Sequence, residues 1–512
     1  MSLDATTELE LKLRLPSAAA GDHIFVQPPL ADLLSELPHD ERLEAWYYDN
    51  ADGALRELGL AYRIRLEGGR WIATVKIDKA ASGGLHERRE WNVVIDQPEA
   101  SLDHFAGTEA EPLLAEAAEN APLVRLFATI FDRRKATVVT ADGSMVEVAF
   151  DRGEIVAGDR REAIVEIELE LKSGNPAAVL ALGGELAAGL PLAVETRSKY
   201  ARALVLAGLS TANGPRFTPP AADAPATAAL ASMLGNQAAL ILAAYEDFRQ
   251  KSDDCETVHR LRVQLRRLRS LLAFGKPLLE PPAYEKWQAK LQALSRTMNP
   301  LREADVIAAT WLSLTTGGRL TLTPPPWLGL LLADERERLA KETAAILEEA
   351  RPTAVLLDFR AWTMNGGLPA AGEQPLATFA ADRLAGWLTA MKEAGKDLDW
   401  DDVPRLHQLR IQSKKIRYVL ESLPRQGRKT RLLILRLKEL QDFLGQRVDT
   451  LTIGQAMNSW MSQHASRVVH RDAGLVIGWS CRQGLEAGQG FAAAWQRWRR
   501  AARRWLKDAK DE

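Results

Sequence analysis

The stretch Glu8-Leu9-Glu10-Leu11-Lys12 decides how the first half of the chain is read. Written as a strand, its side chains alternate between two faces. Glu8, Glu10, Lys12 and Arg14 share one face, and Leu9, Leu11, Leu13 and Leu15 share the other. Alone, this is a half-buried strand with its polar face in water. Later stretches repeat the arrangement with groups suited to phosphate and metal. Glu166, Glu168 and Glu170 alternate with Ile167, Leu169 and Leu171, Arg63 shares a face with Arg65, Lys76 with Thr74, and Arg88 with Glu90. Read together, these strands predict a closed sheet whose polar face lines a lumen.

Strand patterns fall at residues 8–15, 46–49, 62–66, 71–77, 88–95, 135–140, 145–151 and 163–172, with helical patterns at 18–37, 109–127 and 176–190. Gly68-Gly69 and Asp142-Gly143 are hairpin signals. Eight short strands joined by hairpin-length links predict an antiparallel eight-stranded β-barrel with flanking helices over residues 1–211. Residues 212–227, with Pro215, Pro219, Pro220 and Pro225, read as a semi-rigid linker. From 228 to 512 the pattern is amphipathic and rich in Leu, Ala, Arg and Glu, which predicts an all-α bundle. The expectation is a multidomain α+β chain.

Of 512 residues, 46% are hydrophobic and 26% charged, ordinary values for a globular protein. The net charge of −2 hides an asymmetry. Residues 1–212 carry 22 Lys+Arg against 35 Asp+Glu (net −13), and the rest carry 44 against 33 (net +11). An acidic half joined to a basic half predicts two separate jobs. Cys255 and Cys481 are the only cysteines, which excludes a disulfide framework and a Cys-rich metal site. No unbroken apolar run approaches the roughly 18 residues that span a bilayer, and no basic stretch precedes an apolar one at the N-terminus. A soluble, cytoplasmic protein without a membrane partner is expected.

Three carboxylates in a row on one strand face lie only about 6–7 Å apart, and their repulsion grows if the face is enclosed. A divalent cation relieves it, because Mg²⁺ takes one or two carboxylates with water and phosphate oxygens as the remaining ligands. A solvated acidic strand is the rival reading of Glu166–Glu170. Arg63, Arg65, Lys76, Arg88, Arg133, Lys135, Lys199 and Arg202 supply cations from several strands and the third helix. A tripolyphosphate needs donors converging from several directions, and Arg supplies planar forks. For any one of these cations taken alone, a surface ion pair explains it as well.

The second half contains an internal repeat. His259, Arg262, Arg266 and Arg269 recur with the same spacing as His407, Arg410, Lys414 and Arg417, 148 residues later. Offsets of 0, 3, 7 and 10 fall on one stripe of a helix. Like charges on one stripe repel, which calls for a polyanion or for acidic neighbours. Arg267, Lys415, Arg428, Lys429 and Arg431 tilt the reading toward the polyanion. Nucleic acid is disfavoured, because few aromatics interleave with these cations for base stacking.

These motifs carry a family resemblance. Glu8-Leu9-Glu10-Leu11-Lys12 resembles the Glu-x-Glu-x-Lys signature of the CYTH domain, the triphosphate tunnel metalloenzymes. Tyr47-Tyr48-Asp49, Arg63-Ile64-Arg65, Thr74-Val75-Lys76, Arg88-Arg89-Glu90, Glu166–Glu170 and Ser198-Lys199 follow in the family's order. The second half resembles the CHAD domain, and chains joining the two resemble bacterial inorganic triphosphatases. The resemblance implies metal-assisted hydrolysis of inorganic triphosphate with Mg²⁺ or Mn²⁺. Glu8 and Glu10 would hold the metal, with Glu166, Glu168 and Glu170 holding a second or orienting water. Lys12, Arg63, Arg65, Lys76, Arg88, Arg133, Lys135, Lys199 and Arg202 would grip phosphates, and Lys12, Glu168 and Glu170 would take part in catalysis. The helical half would bind inorganic polyphosphate. Asn50 departs from the Thr common after that Asp. The family also includes adenylate cyclases and thiamine triphosphatases, so an organic triphosphate, or a barrel that binds without catalysis, remains the alternative.

Overall fold

The computed structural model of the protein describes residues 6–82, 84–117, 122–210, 216–316, 326–368, 374–424, 427–463 and 466–508. Pro215, with residues 212–214 of the expected linker, lies outside them. Contacts divide the chain into two compact units. The first comprises Met1–Arg216, Ala238–Glu246 and Arg351–Asn365, and the second Phe217–Gln237, Asp247–Ala350 and Gly366–Glu512.

The first unit is built on β1 (Thr6–Arg14), β2 (His39–Asp49), β3 (Leu60–Glu67), β4 (Arg70–Ser82), β5 (Leu85–Ile95), β6 (Val124–Val139), β7 (Met145–Ala157), β8 (Arg160–Ser173) and a two-residue β9 (Ala193–Val194). The sheet order is β5-β4-β3-β2-β6-β7-β8-β1-β9, and β1 also pairs with β5, so β1 to β8 close into an antiparallel barrel. β1 shows why the wall forms. Leu11 and Leu13 point outward into a fully buried layer, while Glu10 and Lys12 are buried on the inner face.

Around the barrel lie α1 (Leu30–Leu33), α2 (Ala54–Glu57), α3 (Glu111–Ala117), α4 (Pro176–Gly189) and α5 (Lys199–Leu206). The helices expected at 18–37 and 109–127 are far shorter than their patterns. The first stretch holds two 3-10 turns and the single turn of α1. The second holds α3 and then the start of β6. Tertiary pairing overrides helical periodicity there, because β6 is flanked by β2 and β7, and Phe127 is buried against Tyr47. α4 is apolar on all sides and buried, as such a helix must be. Its Gly183 sits close to Leu11 on one side and Leu357 on the other.

The remaining helices are α6 (Ala226–Gln250), α7 (Cys255–Phe274), α8 (Pro281–Thr297), α9 (Asn299–Thr315), α10 (Leu328–Glu349), α11 (Pro352–Met364), α12 (Leu376–Ala394), α13 (Val403–Ser422), α14 (Arg428–Gln463) and α15 (Arg467–Asp508). The middle of α6 and the whole of α11 belong to the first unit. α6 corrects the expectation that nothing in the chain could span a bilayer. It is long and apolar enough to cross a membrane, and 56% of its most apolar window is buried. Single polar residues such as Ser232 and Asn236 break its apolar run without making it polar. The two repeats become α7 and α13, each of 20 residues. Each opens on an aspartate, Asp254 or Asp402, whose side chain accepts from a first-turn backbone N–H.

One glycine fixes the wall of the barrel. A Cβ at Gly153 in β7 would run into the carbonyl oxygen of Ile130 and the backbone of Phe131 in β6. Backbone cannot swing away as a side chain can. Gly153→Ala should therefore cost about 1–3 kcal/mol, read as a lower midpoint in thermal or denaturant unfolding, with no loss expected for Ala at Gly189, the open last residue of α4.

Candidate active site in the barrel

Strand register sets the chemistry. Between β1 and β8, Lys12 lies opposite Glu168, Arg14 opposite Glu166, and Glu10 opposite Glu170. Because side chains alternate, a slip of one residue would carry leucines inside and the charges out. The inner faces enclose a cavity of about 540 Å³. Glu8, Glu10, Lys12, Arg63, Arg65, Lys76, Arg88, Arg133, Glu168, Glu170 and Lys199 line it.

Glu168 is the hub. It accepts from Lys12, from Arg133 Nη2 at 2.5 Å and from Lys199 Nζ at 2.8 Å. Burial alone would raise its pKa, but Lys12, Lys199 and Arg133 outweigh that and hold the carboxyl well below its usual value. Glu10 behaves likewise. Burial pushes it up, and Lys12 and Arg88 bring it down to about 2. Lys76 bonds Glu8 Oε2 at 2.9 Å and pairs with Glu90.

Two features of this network are unbalanced. Glu170 is raised by burial and then by Glu8, and it faces Glu10 directly across the ladder. Like charges directly opposed are unfavourable. Arg63 Nε and Nη2 and Arg65 Nε are buried donors without a hydrogen-bond partner. The cavity therefore offers donors that make no hydrogen bond, beside a carboxylate pair, Glu10 and Glu170, that stays opposed although Lys12, Arg88 and Lys172 reach it.

Three residues expected in the tunnel stand behind or beside it. Glu166 is fully buried, held by Lys199 Nζ at 2.5 Å and Arg202 Nη1 at 2.7 Å. Arg202 also bonds Glu162 and the Ala163 carbonyl, both at 2.7 Å. Lys135 pairs with Glu41 at 3.1 Å. None of the three lines the cavity. Asn50 does not either. Its Oδ1 accepts from the Ala54 N–H at 2.7 Å, and the neighbouring Asp49 accepts from Leu55 N–H at 3.0 Å, so both serve to cap α2.

The sequence reading missed Asp151. It is fully buried and takes Arg133 through two bonds of 2.7 Å, with Lys199 Nζ at 2.7 Å. The available signal was its place opposite Glu166 in the β7–β8 register. Also missed were Tyr47, Phe131 and Tyr200, which form with Leu43 and Leu204 an apolar part of the lining.

Which carboxylates could take a metal follows from the pairing. Asp151, Glu166 and Glu168 come within 4.8 Å of one another. They are already neutralised by Arg133, Lys199, Lys12 and Arg202. Glu8, Glu10 and Glu170 are paired as well, with Lys76, with Lys12 and Arg88, and with Lys172, but they all face the cavity and include the opposed like-charge pair, so this oxygen-only set fits Mg²⁺ or Mn²⁺ better.

The basic ridges of the second unit hold together only in part. Burial, Arg410 and Arg266 push Lys414 down to about 6, and burial followed by Arg266 and Arg302 brings Arg262 to about 10. Arg266 Nε and Arg410 Nε are buried without a hydrogen-bond partner. His259 and His407 are lowered by burial and by the same cations. Arg269 turns away to Gln288 at 3.3 Å, and Arg417 to Gln441 at 2.8 Å and Glu421 at 2.9 Å.

Residues 6–204 match the family model of the CYTH domain, and residues 232–458 that of the CHAD domain. The inorganic triphosphatase of Haemophilus influenzae is 36% identical over 133 residues. That match spans 25% of this chain and 36% of the relative's length, little more than a third of it. The crystal structure of the CHAD domain from Ricinus communis aligns at 23% identity with a TM-score of 0.48, over 56% of this chain and 96% of that one. A Hippeastrum protein described as an adenylyl cyclase with a dominant triphosphatase activity aligns at 21% identity with a TM-score of 0.30, over 39% of this chain and 95% of that one.

Asp151 carries a test of the network itself. Asp151→Asn removes the charge that Arg133 and Lys199 share, leaving buried cations short of a partner. Such losses cost about 3–5 kcal/mol. The melting temperature should fall sharply, and Glu154→Gln, at an exposed ion pair, should barely move it. An unchanged melt for Asp151→Asn would contradict the assigned role.

Proposed function

We propose that this chain, which joins a CYTH domain to a CHAD domain, hydrolyses inorganic triphosphate in its barrel and holds polyphosphate on its helical half. The observation that carries the barrel reading is the set of buried donors on Arg63 and Arg65 that make no hydrogen bond, on residues lining the same cavity as Glu8, Glu10 and Glu170. The relative described as an inorganic triphosphatase supports the same class of reaction.

Without substrate, carboxylates and cations of the lining neutralise one another. A triphosphate entering this cavity offers acceptors to Arg63 and Arg65 and competes with Glu168 for Lys12, Arg133 and Lys199. Freed carboxylates beside a polyanion then need a cation, which makes metal dependence an electrostatic requirement. Glu8, Glu10 and Glu170 would hold it. A divalent cation bound there neutralises phosphate charge and polarises the phosphoryl oxygens. Water attacks the terminal phosphorus in line, the bond to the bridging oxygen breaks, and phosphate and diphosphate leave. Glu170, raised by burial and Glu8, is suited to orient that water and take its proton. Lys12, Arg133 and Lys199 stabilise charge on the transferring and departing groups.

A second reading has its own support. Tyr47, Phe131, Tyr200 and Leu204 give part of the lining an apolar character, which an organic group on the triphosphate would exploit. Phosphate release from tripolyphosphate, ATP and thiamine triphosphate, measured side by side with and without Mg²⁺ or Mn²⁺, separates the two. Tripolyphosphate should be the substrate, and only with metal. Glu8→Gln or Glu10→Gln should reduce turnover by at least about 100-fold while the circular dichroism spectrum stays unchanged. Full activity in these variants would sink the assignment. Tight triphosphate binding without phosphate release, under any metal, would favour a barrel that only binds.

For the helical half, the support is the cluster of Arg262, Arg266, Arg410 and Lys414 around unpaired donors. Free Lys414 titrates near 6, so it is largely neutral at pH 8. A polyanion favours its charged form and raises that pKa, so binding takes up a proton. Polyphosphate affinity should rise as pH falls from 8 toward 6, and His259 and His407, held below the usual imidazole value, should extend the rise to lower pH. Lys414→Arg, charged throughout, should flatten the lysine's share of the slope and leave that of His259 and His407. Titration calorimetry in buffers of differing ionisation enthalpy reads the proton uptake directly, and none at pH 7 would refute it.

A further inference from the structure

Lys415 follows Lys414 in α13 but faces different neighbours. Lys414 is surrounded by Arg410, Arg266, Asp449 and Arg417, whereas the charges nearest Lys415 are Arg383 and Lys276. Successive helical residues point about 100° apart, so the two lysines serve separate surfaces.

Between α12 and α13 lies a cavity of about 110 Å³, lined by Trp387 and Ala390 from one helix and Gln412, Lys415 and Ile416 from the other. Lys415 Nζ lies 4.0 Å from the centroid of the Trp387 ring, and the Arg383 guanidinium lies 5.2 Å from the same ring. Arg383 is pinned by bonds to the Phe274 carbonyl at 3.2 Å and the Ala273 carbonyl at 3.1 Å, the end of α7. Lys276 rests over Tyr284 at 5.0 Å. Among the described residues, no carboxylate forms an ion pair with Lys415, Arg383 or Lys276. Burial, then Arg383 and Lys276, bring the Lys415 amine down to about 8. The Oε1 of Gln412 is a buried acceptor without a hydrogen-bond partner.

One cation, Lys415, lines this small cavity, Arg383 shares its Trp387 ring, and neither has a counter-charge among the described residues, which calls for an anion. The unpaired acceptor of Gln412 adds that the anion should itself carry a proton to donate. A wide or flat ligand is excluded by size and by the lysine already seated on the Trp387 face. We propose that this cavity is a second anion site, built from Lys415 and Gln412 beside Trp387 with Arg383 adding positive charge from beyond its lining, that takes a single protonated phosphate group. The phosphate is either free orthophosphate or the end group of a longer chain. The site is independent of the barrel reading and of the ridge at Lys414.

Lys415 reports its own occupancy. The full-length protein is treated at pH 8 with an amine-acylating reagent, and the rate at Lys415 is followed by peptide mass spectrometry with orthophosphate, long-chain polyphosphate, sulfate or chloride at matched ionic strength. Saturating phosphate should slow acylation of Lys415 by about tenfold and leave the exposed Lys341 unchanged. Sulfate, with no proton to donate to Gln412 at this pH, should protect less. Gln412→Leu should weaken phosphate protection by about tenfold, with its melting curve recorded alongside, and Trp387→Phe should preserve it in part. Protection by orthophosphate assigns the free anion, and protection by polyphosphate alone assigns an end group. Equal rates with phosphate and chloride would overturn the site, as would full protection in Gln412→Leu.

Discussion

Enclosed charge is the constraint on which the barrel depends. Glu10, Lys12, Arg88, Asp151, Glu166, Glu168, Lys199 and Arg202 are all largely removed from water, and each buried ion is costly unless a partner repays the lost hydration. The register of β1 against β8 provides one such pair by setting Lys12 across from Glu168, while Glu166 takes Lys199 and Arg202 from α5. The same register opposes Glu10 to Glu170. Structural necessity and chemical opportunity thus come from one pairing. Most of the ladder sets opposite charges side by side, and one rung opposes two carboxylates that Lys12, Arg88 and Lys172 offset.

The helical unit solves a different problem. Its two matched helices begin on equivalent aspartate caps and carry equivalent cations, yet the cations do not stay together. Arg269 and Arg417 find amide or carboxylate partners, while Arg266, Arg410 and Lys414 crowd one another. Repulsion of this kind is tolerated where a ligand supplies the missing sign.

Much of this was legible because period-2 alternation is unambiguous when both phases have meaning. The eight strands, the acidic rows and most lining cations followed from it. Length and helix boundaries did not. Val124 to Phe127 reads as helix locally and becomes strand because β2 and β7 flank it. Asp151 was passed over because the acids of β7, Glu147, Asp151 and Glu154, show no regular alternation, and its importance comes from Arg133 and Lys199, distant in sequence. Arg202 and Glu166 carry the right charges in the right order, yet they bond each other behind the wall, which spacing along a chain cannot reveal.

The glycines of α4 have a consequence for how the chain can be divided. Gly184 lets α11 come close, with Asp358 occupying the space its side chain would fill, and Gly183 makes room for Leu11 of β1 with Leu357 just beyond. α11 lies more than 160 residues downstream of α4, inside the stretch that aligns with the other domain family. Boundaries drawn by homology and boundaries drawn by packing therefore disagree. A gene segment ending at the linker would encode the whole barrel wall but not the helix that covers α4. The two halves match separate family models, but the barrel is not complete as a transplantable part.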